Sequence, residues 1–96
     1  MSGPRYMRLR VTVRGRVQGV GFRYYVRRAA EALELGGWVR NNPDGTVEVD
    51  STGPVADLNE LLSRVSKGPL GARVDNVSVE WIPSVSSELP TGFIIR

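Results

Sequence analysis

The sequence contains neither cysteine nor histidine. Without cysteine there is no disulfide framework, no thiol nucleophile and no cysteine metal ligand, and the expected compartment is the cytosol. Without histidine, Ser-His triads, phosphohistidine intermediates, imidazole acid–base catalysis and His-ligated metals are excluded. No apolar run approaches the roughly 20 residues of a membrane-spanning helix. Met1-Ser2-Gly3-Pro4-Arg5 has no apolar segment of the signal-peptide kind. Lysine is almost missing as well. Of 13 basic residues only Lys67 is not arginine, and the net charge is +3. An arginine-rich, positive chain points either to anionic partners, from small phosphates to nucleic acid, or to a compositional bias toward arginine.

What is present reads as one domain over residues 1–96, with 1–6 as a loose terminus. Residues 7–14 alternate, with Leu9, Val11 and Val13 on one face and Arg8, Arg10, Thr12 and Arg14 on the other, which predicts a half-buried strand. From Phe22 to Leu35 the period becomes helical. Phe22, Val26, Ala29 and Leu33 form the apolar stripe, Arg27–Glu31 is an expected i,i+4 pair, and Gly36-Gly37 is the expected stop. A strand at Trp38–Asn41, the turn Asn42-Pro43-Asp44-Gly45 and a strand at 46–51 make a hairpin. Gly53-Pro54 opens a second helix, with proline at the first helical position. Its stripe is Val55, Leu58, Leu61, Leu62 and Val65, its surface pair Glu60–Arg64, and its end Lys67-Gly68-Pro69. A strand follows over 73–81, with Val77, Val79 and Trp81 inward. Then come a polar loop over 83–90 and a short last strand within 92–96. The order β-α-β-β-α-β plus a short terminal strand predicts an α+β, ferredoxin-like split β-α-β sandwich, an antiparallel sheet with both helices on one face and the other face wet.

Between the first strand and the first helix lies Gly15-Arg16-Val17-Gln18-Gly19-Val20-Gly21-Phe22-Arg23. Glycine admits the positive φ of a tight concave turn, and amides turned inward by such a turn bind anions. A following helix adds free N–H groups and a positive dipole end. Arg23 in the first turn supplies a permanent charge in a planar fork. A cation there opposes the dipole unless an anion joins it. A Walker A loop is excluded, because Gly-Phe-Arg stands where Gly-Lys-Ser/Thr is needed. A dinucleotide fingerprint fails because Tyr24 stands where its third glycine belongs. A purely structural turn is the competing explanation.

Asn42 suits a turn-forming role, whereas Asn41 precedes the turn proper. A calcium loop through Asp44-Gly45 fails, since it would place Arg40 and Ser51 at its first and last ligand positions. The arginine stripe of the first strand allows an RNA-binding sheet face, but neither it nor the 46–51 strand carries an outward aromatic. Cross-strand pairing of these arginines with Glu48 and Asp50 explains the pattern at lower cost. The carboxylates read as surface charges without metal-ligand clustering, and both tryptophans as core.

Val13-x-Gly15-x-Val17-Gln18-Gly19-Val20-x-Phe22-Arg23 resembles the first signature of the acylphosphatases. Gly37-Trp38-Val39-Arg40-Asn41, with Gly45, Val47 and Gly53 following, resembles the second. Asp50-Ser51-Thr52 is more polar than is common there. The resemblance covers nearly all of residues 7–96 and implies hydrolysis of the carboxyl–phosphate bond of acyl phosphates without metal or cofactor. By it, the backbone of Gln18, Gly19, Val20, Gly21 and Phe22 together with Arg23 binds phosphate, and Asn41 holds the attacking water. It implies a small-molecule acyl phosphate as substrate, inorganic phosphate or a similar anion at the loop, no membrane, and a monomer. The alternative is a non-catalytic ferredoxin-like module binding an anionic metabolite or RNA.

Overall fold

The computed structural model describes residues 6–83 and 91–96. The elements are β1 (Tyr6–Arg16), α1 (Phe22–Ala32), β2 (Gly36–Asn41), β3 (Val47–Pro54), α2 (Val55–Lys67), β4 (Arg73–Pro83) and β5 (Phe93–Ile95). They form one five-stranded sheet in the order β4-β1-β3-β2-β5. The pairs β1–β3, β1–β4 and β2–β3 are antiparallel, whereas β5 joins the edge of β2 in parallel, so the sheet is mixed rather than wholly antiparallel. The expected polar loop falls mostly on 84–90, outside the described residues.

Alternation sets the core. Val11 and Val13 stand opposite Val49 and Val47, Leu9 stands opposite Ser51, and all five apolar residues are fully buried. Phe22, Val26, Ala29 and Ala30 of α1 and Leu58, Leu61 and Val65 of α2 close over that face. Each such leucine contributes about 1.5–3 kcal/mol through removal of apolar surface from water. Val79 keeps its inward parity, opposite Val11, but is 42% exposed on the edge strand.

Several boundaries differ from the sequence expectation, each for a local reason. α1 ends at Ala32, before Gly36-Gly37. Glu34 takes the left-handed position at φ 58°, its N–H bonding the Glu31 carbonyl while that of Leu35 bonds Ala30. This is a Schellman turn in which the buried Leu35 compensates a non-glycine residue at positive φ. Gly37 instead lies within β2, where a Cβ would run into the Asp50 carbonyl oxygen. Pro54 is the residue before α2 rather than its first, because its ψ of 141° still belongs to the strand. Arg27 forms no ion pair with Glu31 among the described residues, and its guanidinium stacks on Tyr24 at 5.2 Å. The Glu60–Arg64 pair is present at 3.1 Å.

The second sheet face is not simply wet. Asp50 is fully buried there, its carboxylate accepting from Arg8 Nε at 2.8 Å and from Arg10 at 3.1 and 3.2 Å. It is therefore no surface charge, although its pairing with the arginine stripe is as expected. Glu48 pairs with Arg40 at 3.0 Å. Trp38 is buried as expected, but on this face, because it stands opposite Asp50 while Val39 stands opposite Val49. Arg40 and Arg96 stack on its ring at 5.0 and 4.8 Å.

Candidate active site

Two glycines, two apolar anchors and one amide shape the loop before α1. Val17 and Phe22, both 1% exposed, fasten its ends into the core. Gly19 and Gly21 both have φ of 77°, and a Cβ at either would meet nothing within 4 Å. Glycine is needed there for the backbone turn and not for space. Gly15, by contrast, lies within β1 at a bulge against β4, where a Cβ would strike the Arg73 carbonyl oxygen.

Gln18 fixes the middle of the loop from below. Its Nε2 donates to the carbonyls of Asn42 at 2.8 Å and Thr46 at 2.9 Å, the two residues that close the β2–β3 hairpin. The hairpin is in turn braced by its own side chains. Asn42 Nδ2 donates to Thr46 Oγ1 at 3.0 Å, and Asp44 Oδ1 accepts from the Thr46 N–H at 3.0 Å and hydroxyl at 2.6 Å. Those bonds from Thr46 hold the Asp44 carboxyl below its ordinary value of 3.8, with a smaller contribution from Arg14. The glycine loop and the end of β2 are thus fastened together, although more than 20 residues separate Gln18 from Asn42.

The resulting pocket has a volume of about 170 Å³ and is lined by Val17, Gly19, Gly21, Phe22, Arg23, Tyr24 and Asn41. Five of the expected site residues therefore share one cavity: Gly19, Gly21, Phe22, Arg23 and Asn41. Gln18 and Val20 do not line it; the Gln18 amide is engaged by the hairpin and Val20 packs against the core. α1 starts at Gly21 without a side-chain cap and without an acidic residue in its first turn. Its leading N–H groups have no acceptor within the helix, and the dipole end is uncompensated. Arg23, half-buried, has no carboxylate partner among the described residues. Asn41 is the last residue of β2 and has the parity of the buried Val39, which turns it to the helix side beside the start of α1. Its Oδ1 is buried and meets no donor among the described residues. The pocket thus joins donors and positive charge suited to a tetrahedral anion with the buried, unmet acceptor of Asn41. That acceptor can hold a water by one of its protons.

The side-chain tie of Gln18 and the place of Tyr24 at the pocket, 61% exposed, were not foreseen. A long amide between Val17 and Gly19, in a loop otherwise of small or apolar residues, is the only signal in the sequence for the former.

A family model described as acylphosphatase matches residues 9–95. An acylphosphatase of Caldivirga maquilingensis is 50% identical over 91 residues, 94% of this chain and 94% of that protein. One of Koribacter versatilis is 56% identical over 71 residues, covering 74% of this chain and 64% of that protein. The crystal structure of acylphosphatase from Bacillus subtilis superposes with a TM-score of 0.87 at 40% identity, covering 94% of this chain and 98% of that one. Mixed sheet, glycine loop and matched sequence agree: this chain belongs to the acylphosphatase family, and its activity is the hydrolysis of acyl phosphates.

Proposed function

We propose that Arg23 and the amides of residues 18–22 bind the phosphoryl group of an acyl phosphate, and that Asn41 Oδ1 positions the water that attacks it. The observation that carries this assignment is the meeting of the unpaired Arg23, the uncapped start of α1 and the donorless Asn41 Oδ1 in one small pocket. Phosphoryl transfer asks chiefly for alignment and for neutralisation of the equatorial oxygens. A fixed guanidinium and oriented amides supply the second without reorganising as the reaction proceeds. Asn41 cannot take a proton, so the water's proton passes to a phosphoryl oxygen. The water oxygen bonds to phosphorus, the P–O bond to the acyl group breaks, and the products are a carboxylate and inorganic phosphate. The leaving carboxylate is the base of an acid with a pKa of about 4 and departs without a general acid. Alkoxide leaving groups are far more basic, so phosphate monoesters are poor substrates.

The same reading makes the reaction independent of metal and cofactor, and takes the protein as a single-domain monomer acting in the cytoplasm on a small molecule. RNA is a poor fit to the outer sheet face. Trp38 there is only 7% exposed and has guanidiniums on its ring, so it offers no platform for a base. The test is phosphate release from benzoyl phosphate in the presence of a chelator, beside a simple alkyl phosphate. Release from the acyl phosphate alone is expected. Dependence on added metal, or equal release from both compounds, contradicts the mechanism.

A further inference from the structure

Beside the phosphate pocket, and sharing Gly21 and Tyr24 with it, lies a larger cavity of about 490 Å³ between α1 and the end of α2. Its apolar lining comes from Ala29, Ala32 and Pro69, and its charged groups are Arg28 and Arg64, with no carboxylate in the lining among the described residues. Tyr25 is held in the wall by its hydroxyl, which donates to the Arg64 carbonyl at 2.9 Å. Arg28 has no ion pair among the described residues. Arg64 engages Glu60 only through Nε, at 3.1 Å, which leaves its terminal nitrogens for a second acceptor.

We propose that this groove is the subsite for the acyl part of the substrate, and that Arg28 and Arg64 select acyl phosphates carrying a second anionic group away from the scissile bond. The inference rests on the phosphate occupying the smaller pocket. That pocket has room for a phosphoryl group and a water, so an acyl chain of any length must leave through its rim. Gly21 and Tyr24 line both cavities, so the groove adjoins the smaller pocket at these two residues. There the chain meets alanine and proline surface first and two guanidiniums without an acidic neighbour in the lining. A carboxylate or phosphate at the far end of the acyl group is the partner that this charge fits. Contacts made that far from phosphorus are equal in the ground and transition states, so they lower KM and leave kcat unchanged.

The test compares adipoyl monophosphate with hexanoyl phosphate, two six-carbon substrates that differ by the terminal carboxylate. They are assayed with the native protein, with Arg28→Gln and with Arg28→Gln/Arg64→Gln. The native protein is expected to show a KM for the adipoyl compound roughly 5-fold below that for the hexanoyl compound, as for exposed ion pairs. The preference should shrink in Arg28→Gln and as salt is raised, and vanish in the double variant. The kcat values, the hexanoyl KM and inhibition by inorganic phosphate should stay unchanged, which shows that the phosphate pocket is intact. Equal KM values in the native protein, or a preference that survives in the double variant, overturns the subsite while leaving the acylphosphatase reading in place. No phosphate release from either compound by the native protein overturns both.

Discussion

Arg23 occupies the second position of α1, where a cation costs about 0.3–1 kcal/mol against the helix dipole. No carboxylate among the described residues offsets that cost, and the proposed assignment takes the guanidinium as placed for a ligand and not for the fold. Arg23→Ala should therefore lower kcat/KM by ~10³-fold or more, the range for a guanidinium on a transferring phosphoryl group. The melting temperature should not fall. A variant that retains activity, or one that unfolds, contradicts the assignment. Asn41 behaves in a complementary way. Its Oδ1 is buried without a donor among the described residues, so removing the amide relieves an unmet acceptor even as it takes away the proposed hold on water. Asn41→Ala should reduce kcat by ~10²-fold while inhibition by inorganic phosphate stays near the native value. That both residues would stand apart from their local structure was legible in the sequence, Arg23 because a cation sits awkwardly at a helix start and Asn41 because it precedes the turn that an asparagine would normally serve, and the fold brings them into one pocket. Gln18 was legible only as part of the loop. Its side chain acts across the fold on two carbonyls, and sequence spacing carries no trace of such a contact.

The β2–β3 hairpin is the element on which that alignment depends, since it carries both Asn41 and the two carbonyls that hold Gln18. Its turn is stitched by Asp44, whose carboxylate accepts from Thr46 and is held below 3.8 mainly by that bonding. A carboxyl depressed in the folded state stabilises the fold fully above its ordinary value, and that stability is lost as pH falls through the folded-state value. Asp44→Asn keeps an acceptor but removes the charge. The melting temperature of the native protein should exceed that of Asp44→Asn near neutrality, and the gap should close as pH falls below the ordinary carboxylate range and through the lowered value of Asp44. A gap that persists in acid would assign the effect to geometry and not to charge. The turn itself was readable, because proline, aspartate and glycine each have a stated preference there. The face of Trp38 was not. In Gly37-Trp38-Val39 both large residues are apolar, and only pairing with β3 decides that Val39 meets Val49 while Trp38 meets Asp50. Nor was the end of α1, where the glycine pair seemed the natural stop and Glu34 takes the left-handed position instead.

At the scale of the whole molecule, the strand and helix order followed from alternation and helical stripes, because one sheet face and one side of each helix are buried together. The parallel entry of β5 did not follow, since three residues at an edge have no periodicity to read. The molecule's charge is arranged in two ways with different consequences. On the outer face Arg8 and Arg10 pair with Asp50, and Arg40 pairs with Glu48. On the helix side Arg23, Arg28 and one fork of Arg64 are left open around two adjoining cavities. Among the described residues neither cavity is lined by a carboxylate, and the chain holds no imidazole or thiol. No carboxylate, imidazole or thiol among the described residues is therefore positioned to change charge during turnover near neutrality. The expected profile of kcat against pH is flat between about pH 6 and 8, with no bell and no limb of unit slope. The measurement is phosphate release from benzoyl phosphate at saturating substrate across that range and at constant ionic strength. A unit-slope limb inside it would mean that a titrating group takes part in the rate-limiting step, and proton transfer from the water to the phosphoryl oxygen would then have to be replaced by transfer to that group.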